Sequence, residues 1–159
     1  MSFKNIYVIL VKPQLGENIG ATARALKNFK LSKLRIVNPR SEWPNQKAIA
    51  TSVGAKNILQ SAKIYNSLDK SVGDLDLIFA ASSRIRKVNK KIVSIFDINK
   101  KLKNKQKIGI IFGPEASGLS NDEISCADYV VKIPTNKKFN SINLSHSVIL
   151  FCYQIYRFF

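Results

Sequence analysis

Residues 108–123 read IGIIFGPEASGLSNDE. The first five, Ile108–Phe112, are apolar apart from one glycine and show no polar alternation. Such a run suits a strand covered on both faces, as in a parallel sheet. Gly113 and Gly118 then frame a turn. Ser120-Asn121-Asp122-Glu123 is a capping-box signature for a helix that follows. Strand, turn and helix in quick succession are the repeating unit of an α/β domain.

Working outward, four more runs have the same character: Ile6–Val11, Leu34–Val37, Leu75–Ala80 and Tyr129–Ile133. A short strand is expected near Lys63–Tyr65. Helical patterns fall over residues 18–29, 46–53, 67–72, 97–104 and 120–126, and from Ile142 to the end. In the first of these Ile19, Ala23, Leu26 and Phe29 form one stripe with Thr22 beside it. Gly54 is a plausible cap after the second. The pattern predicts an α/β fold with a mainly parallel sheet flanked by helices. A single domain over 1–159 is expected, with no linker or repeat. The chain stops inside a helical pattern, which leaves room for a missing C-terminal extension.

The chain has 159 residues and 45% apolar content, ordinary for one globular domain. No stretch approaches the ~20 apolar residues of a membrane span, and the N-terminus carries no signal peptide. Cys126 and Cys152 form no metal or redox motif and read as reduced core thiols of a cytosolic protein. With one histidine and two scattered cysteines, no metal site is expected. The net charge of +16 suggests a polyanionic partner. The cations are clustered as well. Arg24, Lys27, Lys30, Lys33, Arg35 and Arg40 occur with no acid among them, and ten basic residues lie between Arg84 and Lys107 with Asp97 alone. Both segments read as a phosphate-tracking face.

In open parallel sheets ligands bind beyond the carboxyl ends of the strands, so the segments after each strand hold the chemistry. After the first strand, Gly16 and Gly20 flank a helix start at Glu17-Asn18. Arg24 follows six residues after Asn18, short of two full turns and off its stripe, though a long arginine reaches back toward the helix start. In GPEASGLS, Gly113 and Gly118 have P-loop spacing, but Leu119 stands where the phosphate-binding lysine belongs. Nucleoside-triphosphate hydrolysis is therefore rejected, leaving a turn that carries Glu115. In the stretch 133–159 the polar groups Asn140, Ser141, Asn143, Ser145 and His146 crowd the start of an apolar helix. One cap would suffice there, so the surplus suggests a ligand. His146 could pair with Ser141, Ser145 or Ser147 as a nucleophilic couple, but no carboxylate is placed to orient it and there is no nucleophile elbow.

Three segments, NIGATARAL, IIFGPEASGLS and KIPTNKKFNSINLSHSV, together resemble the three motifs of the SPOUT superfamily of RNA methyltransferases, in order and spacing over nearly the whole chain. The resemblance is closest to the 2′-O-ribose TrmH/TrmJ family. AIATSVGAKNIL and LIFAASSR favour its TrmJ-like subgroup. The resemblance implies a deep C-terminal trefoil knot, a homodimer, and S-adenosylmethionine as cofactor. It carries cofactor binding onto Ala81, Ser82, Ser83, Gly113, Gly118, Ile133, Ser141, Ile142, Asn143 and Leu144. Catalytic positions fall on Asn18, Arg24, Glu115, Ser141 and Asn143. Arginine is protonated across the accessible pH range, so Arg24 suits a charge-stabilising role better than that of a base. Contact with tRNA is expected from Arg24, Lys27, Arg84, Arg86, Lys87, Lys90 and Lys91. The expected reaction is methylation of a tRNA ribose 2′-hydroxyl, at anticodon-loop position 32. The alternatives are ribosomal RNA, the tRNA wobble ribose, or a non-catalytic RNA-binding role.

Overall fold

The apolar runs become the middle of one sheet. In the computed structural model, which describes residues 3–84 and 89–158, β1 (Ile6–Val11) is followed by α1 (Gly16–Asn28), β2 (Lys33–Val37), α2 (Gln46–Thr51), α3 (Lys56–Gln60), β3 (Lys63–Tyr65), α4 (Leu68–Val72) and β4 (Leu77–Ala81). Then come β5 (Lys91–Ser94), a 3-10 helix over Ile95–Lys101, β6 (Ile108–Phe112), α5 (Asn121–Ser125), β7 (Tyr129–Lys132) and α6 (Leu144–Tyr156). The seven strands are ordered β3-β2-β1-β6-β4-β7-β5, and every neighbouring pair is parallel.

The lack of alternation in the central strands now has its cause. Side chains along a strand point to opposite faces, and here both faces are covered. On one side Ile6, Val8 and Leu10 of β1 and Ile108, Ile110 and Phe112 of β6 pack with Ile19, Ala23 and Leu26 of α1 and Val148, Phe151 and Ile155 of α6. On the other, Ile9, Val11 and Ile111 meet Val72, Leu119 and Ile124. The Phe112 and Phe151 rings meet edge to face, with centroids 5.2 Å apart at 89°. Such a pair adds about 0.5–1.5 kcal/mol to the burial itself.

Several boundaries differ from the sequence reading. α6 begins at Leu144 rather than Ile142, because Asn143 is its N-cap: the Asn143 side chain accepts from the Ser145 and His146 N–H groups. The 97–104 helix is a 3-10 helix that starts earlier, at Ile95, with Ser94 as its cap. β4 starts at Leu77. Leu75 lies before it and fills the space over Gly109, where a Cβ would come within 2.6 Å of its Cδ1. β5 and α3 are additional elements. Cys152 is buried as expected, and burial pushes its thiol up to about 12. Cys126 is only half-buried and donates to Asp69 Oδ1 at 3.4 Å, so it is not a core thiol.

Arg35 overturns part of the phosphate-tracking face. It lies 4% exposed on β2. Its guanidinium donates to both carboxylate oxygens of Asp74, at 2.6 and 3.0 Å, and to the Ser71 carbonyl. It also stacks over Tyr7, 4.2 Å from the ring centroid. A cation so enclosed holds α4 to the sheet and is not offered to RNA. Among the described residues no helix is long and apolar enough to cross a membrane.

Candidate functional site

The strand order places the site. The chain runs outward from β1 to β2 and β3 on one side, while β6, β4, β7 and β5 lie on the other. Loops that leave the carboxyl ends of β1, β4, β6 and β7 therefore part from one another and leave a crevice. The strand ends are level there: Leu10 pairs with Phe112, Phe112 with Ala81, and Ala81 with Val131.

A cavity of about 200 Å³ occupies this crevice. Its floor is apolar, built from Phe112, Leu119, Val131, Ile133, Leu144 and Phe151. Its walls carry Ser82, Ser83, Arg84, Glu115, Asn140, Ser141 and Ser147. An apolar floor with a few polar wall groups is the usual composition of a small-molecule site. The second glycine turn shapes the mouth. Gly118 has φ +66°, and a Cβ on Gly113 would lie 2.3 Å from the Leu119 nitrogen. The loop can fold back over Gly113 only because that residue has no side chain. These features fit an adenosyl cofactor that lies against exposed backbone.

Behind the cavity, three distant segments share one hydrogen-bond chain. The α1 helix has no side-chain cap of its own at Leu15. Instead the Glu115 carboxylate accepts from the Gln14 N–H at 2.8 Å and the Leu15 N–H at 3.1 Å. A carboxylate at a helix N-terminus is also favoured by the helix dipole. Asn18, 6% exposed, donates from Nδ2 to Glu115 at 3.0 Å. Its Oδ1 accepts from Asn143 Nδ2 at 3.1 Å. Asn143 Oδ1 then accepts from the Ser145 N–H at 2.9 Å and the Ser145 hydroxyl at 2.7 Å. A reciprocal bond, from the Ala116 N–H to Gln14 Oε1 at 2.9 Å, closes the first and second loops on each other.

Each expected site residue can now be located. Ala81, Ser82, Ser83, Gly113, Gly118, Ile133, Ser141, Ile142 and Leu144 all line the cavity. Asn143 does not; it caps α6 and faces Asn18. Of the expected catalytic set, Glu115 and Ser141 line the cavity, while Asn18 stands behind Glu115. Arg24 is exposed on α1, lines no part of the cavity and has no hydrogen-bond or ion-pair partner among the described residues. Arg84 is in the cavity wall rather than on a separate RNA face. Lys27 is exposed, but its ammonium donates to the Gly54 carbonyl at 2.6 Å and so pins the turn before α3. Lys91 is exposed on edge strand β5, and Lys90 just before it is half-buried. Arg86 and Lys87 lie outside the described residues. Gln14 is a structural member that sequence patterns did not single out, since its partners lie about 100 positions away, whereas Ser145, already noted in the polar crowd, secures the Asn143 cap.

At the back of the site, Lys12 joins Glu123 of α5 at 2.9 Å. Burial works against the charged carboxylate of Glu123, but the Lys12 hydrogen bond and the Ser120 N–H hold it below its ordinary range. The capping box foreseen at Ser120 is formed in both directions. His146 is exposed on the first turn of α6, its backbone N–H bonded to Asn143 Oδ1, and among the described residues no hydrogen bond joins its side chain to a serine. Among the described residues no cluster of three or more histidine, cysteine, aspartate or glutamate side chains could hold a metal ion.

The model of the SpoU rRNA methylase family matches residues 5–153. A tRNA (cytidine-2′-O-)-methyltransferase TrmJ of Methanocaldococcus jannaschii is 43% identical over 155 residues, covering 95% of this chain and 67% of that protein. A tRNA (cytidine/uridine-2′-O-)-methyltransferase TrmJ of Photorhabdus laumondii is 36% identical over 155 residues, covering 96% of this chain and 64% of that protein. The crystal structure of TrmJ from Z. mobilis superposes with a TM-score of 0.91 at 38% identity, over 95% of this chain and 68% of that one. The chain thus spans about two thirds of the length of the curated relatives it matches.

Proposed function

The chain belongs to the SpoU rRNA methylase family, and from that premise we propose that it is an S-adenosylmethionine-dependent methyltransferase acting on a ribose 2′-hydroxyl of tRNA, at the anticodon-loop nucleotide of position 32. The observation that carries the reading is the cavity at the carboxyl ends of β4, β6 and β7, where the second and third motifs meet. The same reading includes a C-terminal trefoil knot, and a tRNA substrate implies work in the cytoplasm.

When bound, S-adenosylmethionine supplies an electrophilic methyl group. The residues to hold it are those lining the cavity: Ala81, Ser82 and Ser83 on one wall, Gly113 and Gly118 on another, and Ile133, Ser141, Ile142 and Leu144 below. The protein must then align the 2′-hydroxyl and ease the loss of its proton. Glu115 in the cavity wall is fixed by three donors, and Asn143, outside the cavity, is fixed by the cap it makes, which anchors the segment after Ser141. Ser141 is the cavity hydroxyl closest in sequence to that cap and orients the ribose.

Arg24 holds the adjacent phosphate and the 2′-oxygen as negative charge develops. A water or a substrate phosphate accepts the proton. Because Arg24 lies outside its own chain's cavity, it serves the cavity of a second copy. An apolar face for that copy is at hand: Ile149, Leu150, Tyr153 and Tyr156 are exposed along α6, which packs against α1. Arg84 in the cavity wall meets the RNA nearest the ribose, and Lys90 and Lys91, at the amino end of edge strand β5, would meet it farther from the cavity.

Purified protein incubated with labelled S-adenosylmethionine and unmodified tRNA transcripts tests the reading, with the modified ribose mapped by mass spectrometry. Transfer to a tRNA 2′-oxygen is expected. Arg24→Ala should lower turnover by at least ~100-fold while cofactor affinity stays near wild type; near-full turnover would remove Arg24 from the mechanism. tRNA affinity should fall steeply between about 50 and 200 mM salt.

A further inference from the structure

Among the exposed large apolar residues described, Phe139 is the most exposed, at 76%. It does not sit on a loose segment. Its N–H donates to the Asn136 carbonyl at 3.0 Å, and the Lys138 N–H donates to Asn136 Oδ1 at 3.0 Å. Asn136 and Phe139 pair as an isolated antiparallel bridge. An asparagine that accepts from the backbone two residues on is a common way to build a fixed turn. The backbone under the ring is therefore set, while the ring itself is left in solvent. Lys137 and Lys138, both exposed, precede it. Asn140, Ser141 and Ile142, the next three residues, line the cavity.

We propose that Phe139 is the stacking platform for the base of the nucleotide whose ribose is modified. The inference rests on the methyltransferase reading above. The 2′-hydroxyl and the base are attached to neighbouring carbons of one ribose. A ribose whose 2′-oxygen enters the cavity must leave its base at the rim, where the turn presents the ring. A base drawn out of its RNA stack loses its neighbours, and an aromatic side chain replaces them. Lys137 and Lys138 supply cations for the flanking phosphates. Stacking on a π-face tolerates every base, so Phe139 positions the ribose without choosing the nucleotide.

The test is a cycle of two proteins and two RNAs: wild type and Phe139→Ala, each with the tRNA transcript mapped above and with the same RNA carrying an abasic ribose at the target. With the normal RNA, Phe139→Ala should lose about tenfold or more in kcat/KM, equivalent to about 1.4 kcal/mol. With the abasic RNA the two proteins should be alike, because the wild-type ring then has nothing to stack on. Phe139→Trp should retain activity, and Phe139→Leu, apolar but without a π-face, should behave as Phe139→Ala. Equal losses on both RNAs, or full activity in Phe139→Leu, would overturn the inference. So would a shift of Phe139→Ala to a smaller species in sedimentation, which would make the ring a subunit contact. A wild-type protein that binds S-adenosylmethionine but transfers to no RNA ribose would fail the underlying reading, and the stacking role with it.

Discussion

Replacing Asn18 tests whether the three motifs are joined as described. Asn18→Ala removes the donor to Glu115 at 3.0 Å and the acceptor for Asn143 at 3.1 Å, both part-buried, with Asn18 itself buried. A hydrogen bond to a charged group contributes about 1.5–3 kcal/mol and a neutral one about 0.5–1.5 kcal/mol. Together the loss should be about 2–4 kcal/mol, a large share of the roughly 5–15 kcal/mol that holds a domain folded. With a urea slope of about 2 kcal/mol/M, the unfolding midpoint should fall by about 1–2 M. Asn18→Asp sharpens the test. It keeps the acceptor for Asn143 but sets a carboxylate against the Glu115 carboxylate, where like charges repel. That variant should be the weaker of the two at neutral pH. It should regain stability relative to wild type as acid protonates one of the facing carboxyls and restores a donor. Urea titrations followed by far-UV circular dichroism at several pH values give all three quantities. A midpoint for Asn18→Ala within about 0.3 M of wild type, well short of the expected shift, would refute the linkage, as would a pH-independent deficit in Asn18→Asp.

Two other outcomes follow from groups whose ionisation the fold shifts. Native protein treated with a thiol reagent at mildly alkaline pH should leave Cys152 unlabelled, since burial pushes its thiol up to about 12; mass spectrometry should find it modified only after denaturant is added. Hydrogen bonds from Arg35 hold the Asp74 carboxyl below its ordinary range. A carboxylate depressed in this way stabilises the fold above the ordinary carboxylate pKa and loses that contribution as pH falls through the folded value. The urea midpoint of wild type should therefore decline below about pH 4, and Asp74→Asn should show a shallower decline; identical pH profiles would rule out the contribution.

The central strands were legible because burial on both faces leaves its mark within five or six residues. Ile6–Val11 and Ile108–Phe112 are found at the bounds their composition suggested. The capping box at Ser120 was legible for the same reason, since both of its partners lie within three residues. β5 was not: Lys91-Ile92-Val93-Ser94 is an edge strand with one buried residue, so its composition is that of a surface segment. Arg35 was misread because the groups that neutralise and enclose it, Asp74, Ser71 and Tyr7, are 28 to 39 positions away. The polar crowd before α6 was recognised, but its division of labour was not. Asn143 caps, Asn140 and Ser141 line the cavity, and Ser145 secures the cap. Motif resemblance placed Glu115 among the working residues. That it also fixes the residues leading into α1 depends on contacts across about 100 residues, which no local pattern records.

That last contact has a consequence for how the protein is made. On the ribosome α1 emerges before its partners: the carboxylate that fixes the residues leading into it lies 101 positions after Gln14, and the amide that locks Asn18 lies 125 positions after Asn18. At a synthesis rate of about 5–20 residues per second, α1 waits roughly 5–20 s for Glu115. Throughout that interval the nascent chain displays the apolar stripe of α1 without the loop that fixes its start. The cavity wall and the helix cap are then completed by the same late segment, so a nascent chain acquires its ligand-binding loop and its N-terminal order in one event.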